Sequence, residues 1–261
     1  MILLRGIAAI ASGVWIEAVR RREILAVVLL CLGLVAAAAS LDFFGLGGLV
    51  KFYRETALKL MDAATAVAVL LLATRQLPRE FESRTIYPLL ARPIGRLSFL
   101  LGKALGVCAA AAFCFALFAA LFVAGTLFLG GSVHWLLLLQ HLFLQMLLAA
   151  VLTSAGFFLS LAMSRDAALV VGLILYFASG IIGNVSIAIY DLCTPLGRAL
   201  LLALNYALPQ LFLFDLSEKV VHLEFWTPLP VGVLFALAAY ALAYVAAFGG
   251  AAFWLFRRRP L

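Results

Sequence analysis

Long, uninterrupted apolar runs dominate this sequence, and polar residues are confined to short segments between them. The runs are too long and too uniform for half-buried strands, in which apolar and polar positions alternate. Four runs contain no charged residue: 24–41, 104–133, 167–190 and 225–256. Two others contain one titratable residue each: 60–74, with Asp62, and 135–164, with His141. Because about 18–20 apolar residues cross a bilayer as a helix, the pattern indicates a membrane protein.

The pattern predicts an all-α polytopic membrane protein with six transmembrane helices in a single domain, residues 1–261. Backbone amides must be paired in hydrocarbon, which leaves helices or closed barrels, and the lack of alternation excludes a barrel. The composition agrees, since 67% of the residues are hydrophobic and 12% are charged, about half the charged share of a soluble domain. The spans are placed at residues 24–41, 56–75, 99–128, 136–163, 167–188 and 231–256.

Lysine and arginine residues are distributed unevenly between the two sides of the predicted bundle. Cytoplasmic segments are enriched in both, and both termini are therefore predicted to be cytoplasmic. The formal net charge of +7 is interpreted as an orientation signal and an anchor for anionic lipids, and no nucleic-acid partner is expected. Fourteen of the nineteen basic residues then lie inside: Arg5, Arg20, Arg21, Arg22, Arg75, Arg79, Arg84, Arg92, Arg96, Lys103, Arg165, Arg257, Arg258 and Arg259.

The segments outside the spans predict further helices. Residues 5–22 combine an apolar stripe with charges, which favours an interfacial helix with Trp15 at headgroup depth rather than a cleavable signal peptide. Residues 42–55 predict a short glycine-rich loop. Residues 189–230 are apolar and contain four prolines; they predict re-entrant or interfacial helices on the outer face, one of them over residues 196–208.

Residues 76–98 form a basic, proline-containing segment between two very apolar runs. Pro78 is expected to end the second span, and Pro93 to end a short helix that begins near Arg84. Two interpretations fit these residues equally well. The segment is either a helix along the cytoplasmic surface, or a loop that only anchors the topology.

Residues 82–103 read ESRTIYPLLARPIGRLSFLLGK. This stretch resembles a signature of ABC-2 type permeases, and it looks closest to the branch that includes permeases of copper-enzyme maturation and gliding-motility systems. The segment LPQLFLFD, residues 208–215, resembles part of that branch's last outer loop, and the six-span layout is similar throughout. Arg84 and Pro88 depart from the signature. The matching residues are Glu82, Thr85, Ile86, Leu89, Leu90, Pro93, Arg96, Gly102 and Lys103.

The resemblance implies that residues 76–98 carry a coupling helix that docks on a cytoplasmic ATPase subunit. It further implies two ATPase subunits, which carry ATP and Mg, and a second permease subunit, most simply a homodimer, in the cytoplasmic (inner) membrane. Membrane lipids are the other expected partners. The implied docking residues are Glu82, Arg84, Thr85, Ile86, Leu89, Leu90, Arg92, Pro93 and Arg96.

The chain itself is not expected to be an enzyme or to bind a cofactor. A phosphate-binding loop needs G-x-x-x-x-G-K-[ST], whereas Gly102 and Lys103 are preceded by Leu97 and followed by Ala104. Lys103 is instead expected to reach the inner headgroups or to contact the coupling region. No catalytic residues are assigned, because no G-x-S-x-G or H-E-x-x-H motif is present.

A few polar residues within the spans are candidates for a substrate pathway. Asp62 is acidic within a span, which is costly and often functional, although Lys59 at i−3 could pair with it. His134 and His141 share a helical face, but no third ligand is obvious, so no metal is expected and a hydrogen-bonded cluster is favoured. The candidate pathway residues are Asp62, Gln140, His141, Gln145 and Asn184.

Three functions from different classes stay open at this point. The favoured one is the permease of an ATP-driven exporter, whose substrate the sequence does not identify. An intramembrane lipid-modifying enzyme would need a pair such as Asp62 and His141 facing one cavity. A structural membrane subunit would use the inner loop to dock a partner other than an ATPase.

Overall fold

The computed structural model describes residues 2–20, 33, 45–82, 95–189, 193–221 and 227–258. These residues form helices for the most part, and no strand occurs among them. The all-α prediction is thus confirmed for the described residues. The helices are α1 (Ile2–Arg20), α2 (Gly45–Glu82), α3 (Arg96–Phe128), α4 (Trp135–Ala162), α5 (Arg165–Ile189), α6 (Pro195–Ala207), a 3-10 helix (Leu211–Phe214), α7 (Ser217–Val221) and α8 (Val231–Arg258).

Four helices of the described part are long and apolar enough to cross a membrane. They are Val50–Glu82 of α2 and the whole of α3, α4 and α8, and they correspond to four of the six predicted spans. The α5 helix has 25 residues, or roughly 37 Å at 1.5 Å per residue, and it coincides with the predicted span 167–188. The predicted span 24–41 lies outside the described residues, apart from Gly33.

The α2 helix differs from its prediction at both ends. The loop predicted over residues 42–55 is wrong from Gly45 onward, because α2 begins there. Tertiary contacts outweigh the poor helix propensity of its glycines: Tyr53 donates its hydroxyl hydrogen to the carbonyl oxygen of Leu121, 3.1 Å away, and Arg54 donates to the carbonyl oxygen of Ser132.

At its other end, α2 continues through Pro78 to Glu82, so the prediction that Pro78 ends the span is wrong. A proline in a helix removes one backbone hydrogen bond. Here contacts on both sides of the proline offset that loss. Leu77 is fully buried, and Gln76 and Glu80 both accept hydrogen bonds from Lys103.

The helix α4 lies at the centre of the bundle and packs against α2, α3, α5 and α8. Its buried residues include Leu137, Leu144, Leu152 and Phe157. Since α4 touches four other helices, polar side chains placed along it face protein rather than lipid. This position explains how its first turns can hold Gln140 and His141.

The helix α1 packs along α3. A Cβ atom added at Gly102 would lie 2.9 Å from Cβ of Ile10, and one added at Gly106 would lie 2.5 Å from Cβ of Val14. Small residues four apart are the usual device for such close helix contact in membranes. Trp15 then meets Phe113 edge-on, with ring centroids 5.2 Å apart. The helix predicted over residues 5–22 is therefore present as far as Arg20, with residues 21 and 22 outside the described set, and it is held against the bundle.

Short turns and the segment after α5 complete one end of the bundle. The tight turn between α3 and α4 contains Gly130 at φ 75°, and α6, the 3-10 helix and α7 follow α5. We call this end, which carries residues 129–134 and 193–221, the loop end. The helix predicted over residues 196–208 is confirmed as α6.

Candidate functional site

Asp62 of α2 and His141 of α4 form a buried pair. The Nε2 atom of His141 lies 3.1 Å from Oδ1 of Asp62, and the two residues are 0% and 5% exposed, respectively. The alternative that Asp62 pairs with Lys59 is not observed, because Lys59 binds Glu55 instead, with Nζ 3.0 Å from Oε1. Two predicted pathway residues are thus brought into direct contact.

Asp215 joins this pair from the segment after α6. The 3-10 helix is fastened to α5 and α8: the backbone N–H of Leu211 donates to Oγ of Ser179 at 2.7 Å, and that of Gln210 donates to the hydroxyl oxygen of Tyr240 at 2.9 Å. Within the 3-10 helix, the side chains of Leu211 and Phe214 are buried. Asp215 follows at the end of the 3-10 helix, over α2 and α4.

The three side chains converge. One ligand-type atom from each of Asp62, His141 and Asp215 lies within 4.8 Å of the others. Asp215 uses one oxygen to accept the backbone N–H of Ser217, at 2.7 Å. Within the described part of the chain, Oδ2 of Asp62, Nδ1 of His141 and Oε1 of Gln145 are buried without a hydrogen-bond partner.

A cavity of about 360 Å³ lies beside this cluster. Its walls come from α2, α4, α5 and the 3-10 segment, and both aspartates line it together with apolar and aromatic side chains. The lining residues are Lys59, Asp62, Ala63, Gln145, Leu148, Tyr176, Phe177, Gly180, Leu211, Phe212 and Asp215. The arrangement can hold a small polar or cationic group within a largely apolar wall.

The other candidate pathway residues have different surroundings. Gln140 does not line the cavity: its side-chain amide donates to and accepts from the backbone of Leu229, both at 3.0 Å, and so fastens α4 to the segment before α8. Gln145 does line the cavity. The side chain of Asn184 lies outside the described set. His134 is exposed before the first turn of α4 and is not part of the cluster.

Asp215 is the site residue that was not predicted from the sequence. A signal was present, because it ends the LPQLFLFD segment whose resemblance to permeases was noted. The segment's many apolar residues also require packing against protein, which brings their polar neighbour to the bundle. Nothing in the sequence pattern indicated that Asp215 lies close to Asp62 and His141.

At the opposite end of the bundle, Lys103 does not reach toward headgroups. It is 6% exposed, and its Nζ donates to Oε1 of Gln76 at 3.0 Å and to Oε1 of Glu80 at 2.6 Å. Of the two alternatives for Lys103, the contact with residues 76–98 is therefore the one observed, because its two acceptors on α2, Gln76 and Glu80, lie within that range. In the permease-like signature, Gly102 thus packs against α1, and Lys103 forms hydrogen bonds with α2.

Two of the predicted docking residues are described. Glu82 is exposed at the end of α2. Arg96 is half-buried, and its Nη1 donates to the carbonyl oxygens of Phe256 at 3.2 Å and Arg257 at 2.9 Å. The remaining docking residues lie outside the described set: Arg84, Thr85, Ile86, Leu89, Leu90, Arg92 and Pro93.

The long apolar helices and the buried polar cluster between them define a multi-pass membrane protein. A family model described as ABC-2 family transporter protein matches residues 8–261, and the chain therefore belongs to that family. It is a membrane component of a transport system, and membership implies association with ABC ATPase partners. A search of curated proteins finds no match. The finer branch resemblance stays a prediction.

Proposed function

We propose that this chain is the permease subunit of an ATP-driven exporter in the cytoplasmic membrane. Two copies would assemble with two ATPase subunits, which bind ATP and Mg. Six spans with both termini inside fit the distribution of basic residues, and the loop end would then face outward. The family match and the segment 83–94 between α2 and α3 support this assignment.

The contacts on either side of residues 83–94 carry the proposal. The Lys103–Glu80 ion pair joins α2 to α3 close to that segment, at 2.6 Å. Arg96, just after the segment, binds the last carbonyl oxygens of α8. A movement that an ATPase imposes on the segment would therefore be transmitted to α2, α3 and α8 together. A bistable arrangement of rigid helices is what such coupling requires.

The test is co-purification of the ATPase with tagged protein in mild detergent. Leu89→Asp places a charge on the proposed apolar contact and is expected to release the ATPase. Met163→Asp is the matched control, because Met163 is exposed in the connection between α4 and α5, on the same side of the bundle. Retention of the ATPase by the Leu89 variant, or its equal loss from both variants, would reject the docking role of Leu89.

One observation favours a second candidate, an intramembrane lipid-modifying enzyme. Asp62 and His141, which this alternative needed close together, are in contact beside a cavity. That reading requires turnover of a lipid by purified protein without any ATPase. The family match favours the transporter, and a lipid assay with and without added ATP separates the two.

A further inference from the structure

We propose that Asp62, His141 and Asp215 bind a divalent transition-metal ion, with the ligand preferences of zinc, at the loop end. One imidazole and two carboxylates come from three separate parts of the chain: α2, α4 and the residue that ends the 3-10 helix. Nitrogen and carboxylate oxygen ligands of this kind suit zinc and its neighbours rather than copper(I), which prefers thiolates and thioethers.

The distances fit a shared ion. Metal–ligand bonds of roughly 2.0–2.1 Å place neighbouring ligand atoms about 2.9–3.4 Å apart. Nε2 of His141 and Oδ1 of Asp62 are 3.1 Å apart, a separation that suits two ligands of one ion as well as a hydrogen bond. Asp215 is exposed at the end of the 3-10 helix and needs only a small side-chain movement to bring its carboxylate closer.

Unpartnered atoms give independent support. Oδ2 of Asp62 is buried and accepts no hydrogen bond among the described residues, and Oε1 of Gln145 is in the same situation. Both residues line the cavity. A bound cation, with a water molecule in its remaining position, would supply partners for both oxygens. Zinc adopts three protein ligands with a water molecule in the fourth position in its open, catalytic-type sites.

The charges around the cluster favour a cation. Asp62 and Asp215 bring two carboxylates to one edge of the cavity, and a buried carboxylate such as that of Asp62 is costly unless it is paired or binds a metal. Lys59 is the cation among the described lining residues, and it already forms an ion pair with Glu55, 3.0 Å away. A divalent ion between the two aspartates would balance their combined charge more closely than a single lysine that is already paired with Glu55.

The experiment measures zinc binding by the intact protein in nanodiscs, after removal of metals with a chelator. Equilibrium dialysis against Zn²⁺ is expected to give one ion per chain, with an X-ray absorption spectrum showing nitrogen and oxygen ligands without sulfur. Asp215→Asn is expected to weaken binding by at least about tenfold. Glu218→Gln is the matched control, because Glu218 is exposed three residues away and is not a member of the cluster.

Asp215 is the preferred target because it is exposed, and its substitution leaves the buried pair intact. Asp62→Asn, which keeps the size of the side chain, provides the second variant. Absence of stoichiometric zinc binding in the wild type would overturn the proposal. Wild-type affinity in the Asp215 variant, or equal weakening in the Glu218 control, would also overturn it. None of these results would bear on the ATPase, since the assay contains none.

Discussion

The Nζ atom of Lys103 lies 2.6 Å from Oε1 of Glu80 and 3.0 Å from Oε1 of Gln76. Lys103 is on α3 and its two partners are on α2, so the contact bridges the helices that flank residues 83–94. Because the lysine is 6% exposed, it is held inside the bundle. A buried ion pair of this kind depends on both partners.

Replacing Lys103 with methionine is expected to destabilise the protein. The change removes the largely buried Lys103–Glu80 ion pair together with the hydrogen bond to Gln76, at a cost of ~3 kcal/mol in the free energy of unfolding. Thermal unfolding of the detergent-solubilised protein measures this loss of stability. Lys59→Met is the matched control, because the Lys59–Glu55 pair is about half exposed and such pairs contribute less than ~1 kcal/mol. Equal losses in both variants would contradict the interpretation.

The contrast between Gln140 and Gln145 gives a second prediction. Both glutamines are buried on α4, but only Gln140 binds the backbone of Leu229, with two bonds of 3.0 Å. Gln140→Leu leaves a backbone N–H and C=O unpaired at the segment before α8, which costs about 1–3 kcal/mol.

Gln145→Leu is expected to cost less than ~1 kcal/mol, because Oε1 of Gln145 has no protein partner among the described residues. Comparing the unfolding midpoints of the two variants separates the two environments. A larger loss at Gln145 would show that its amide makes a stabilising contact, contrary to the prediction.

The sequence predicted the spans well where the periodicity and length of apolar runs decide the structure. The predicted spans 99–128 and 136–163 correspond to α3 and α4. Three of their four boundaries agree within two residues, and α3 begins three residues earlier than predicted. The predictions failed where contacts between helices decide. Pro78 was expected to end a helix on local chemistry alone, but the neighbouring Leu77 and Lys103 contacts hold α2 together past it.

The partner of Asp62 could not be predicted for the same reason. Local spacing offered Lys59, one turn away, whereas the structure pairs Asp62 with His141, 79 residues along the chain. Which faces of α2 and α4 meet depends on the packing of the whole bundle. The sequence identified Asp62 and His141 as unusual, but only the fold shows that Asp215 lies beside them.

The close contact of α1 with α3 gives a third prediction. An alanine at Gly106 would place its Cβ 2.5 Å from Cβ of Val14 and 3.0 Å from the carbonyl oxygen of Ala11. The two helices must separate, at an expected cost of about 1–3 kcal/mol.

The control for that change is Gly249→Ala, because a Cβ there meets nothing within 4 Å. It is expected to be neutral or to stabilise α8 by up to ~1 kcal/mol through helix propensity. Unfolding midpoints measured in one detergent compare the two variants. Equal stability would mean that α1 is not held by this contact.

Arg96 gives the last prediction, which separates a role inside the bundle from a role in docking. Its guanidinium donates to the last carbonyl oxygens of α8, which lack partners within the helix and favour a cation. Arg96→Gln is therefore expected to raise hydrogen exchange at residues 253–258, even in protein that carries no ATPase. Arg165→Gln, an exposed arginine beside Asp166, should leave exchange there unchanged. If exchange in the Arg96 variant rises only when an ATPase is bound, or not at all, the contact with α8 is not what holds that end of the helix.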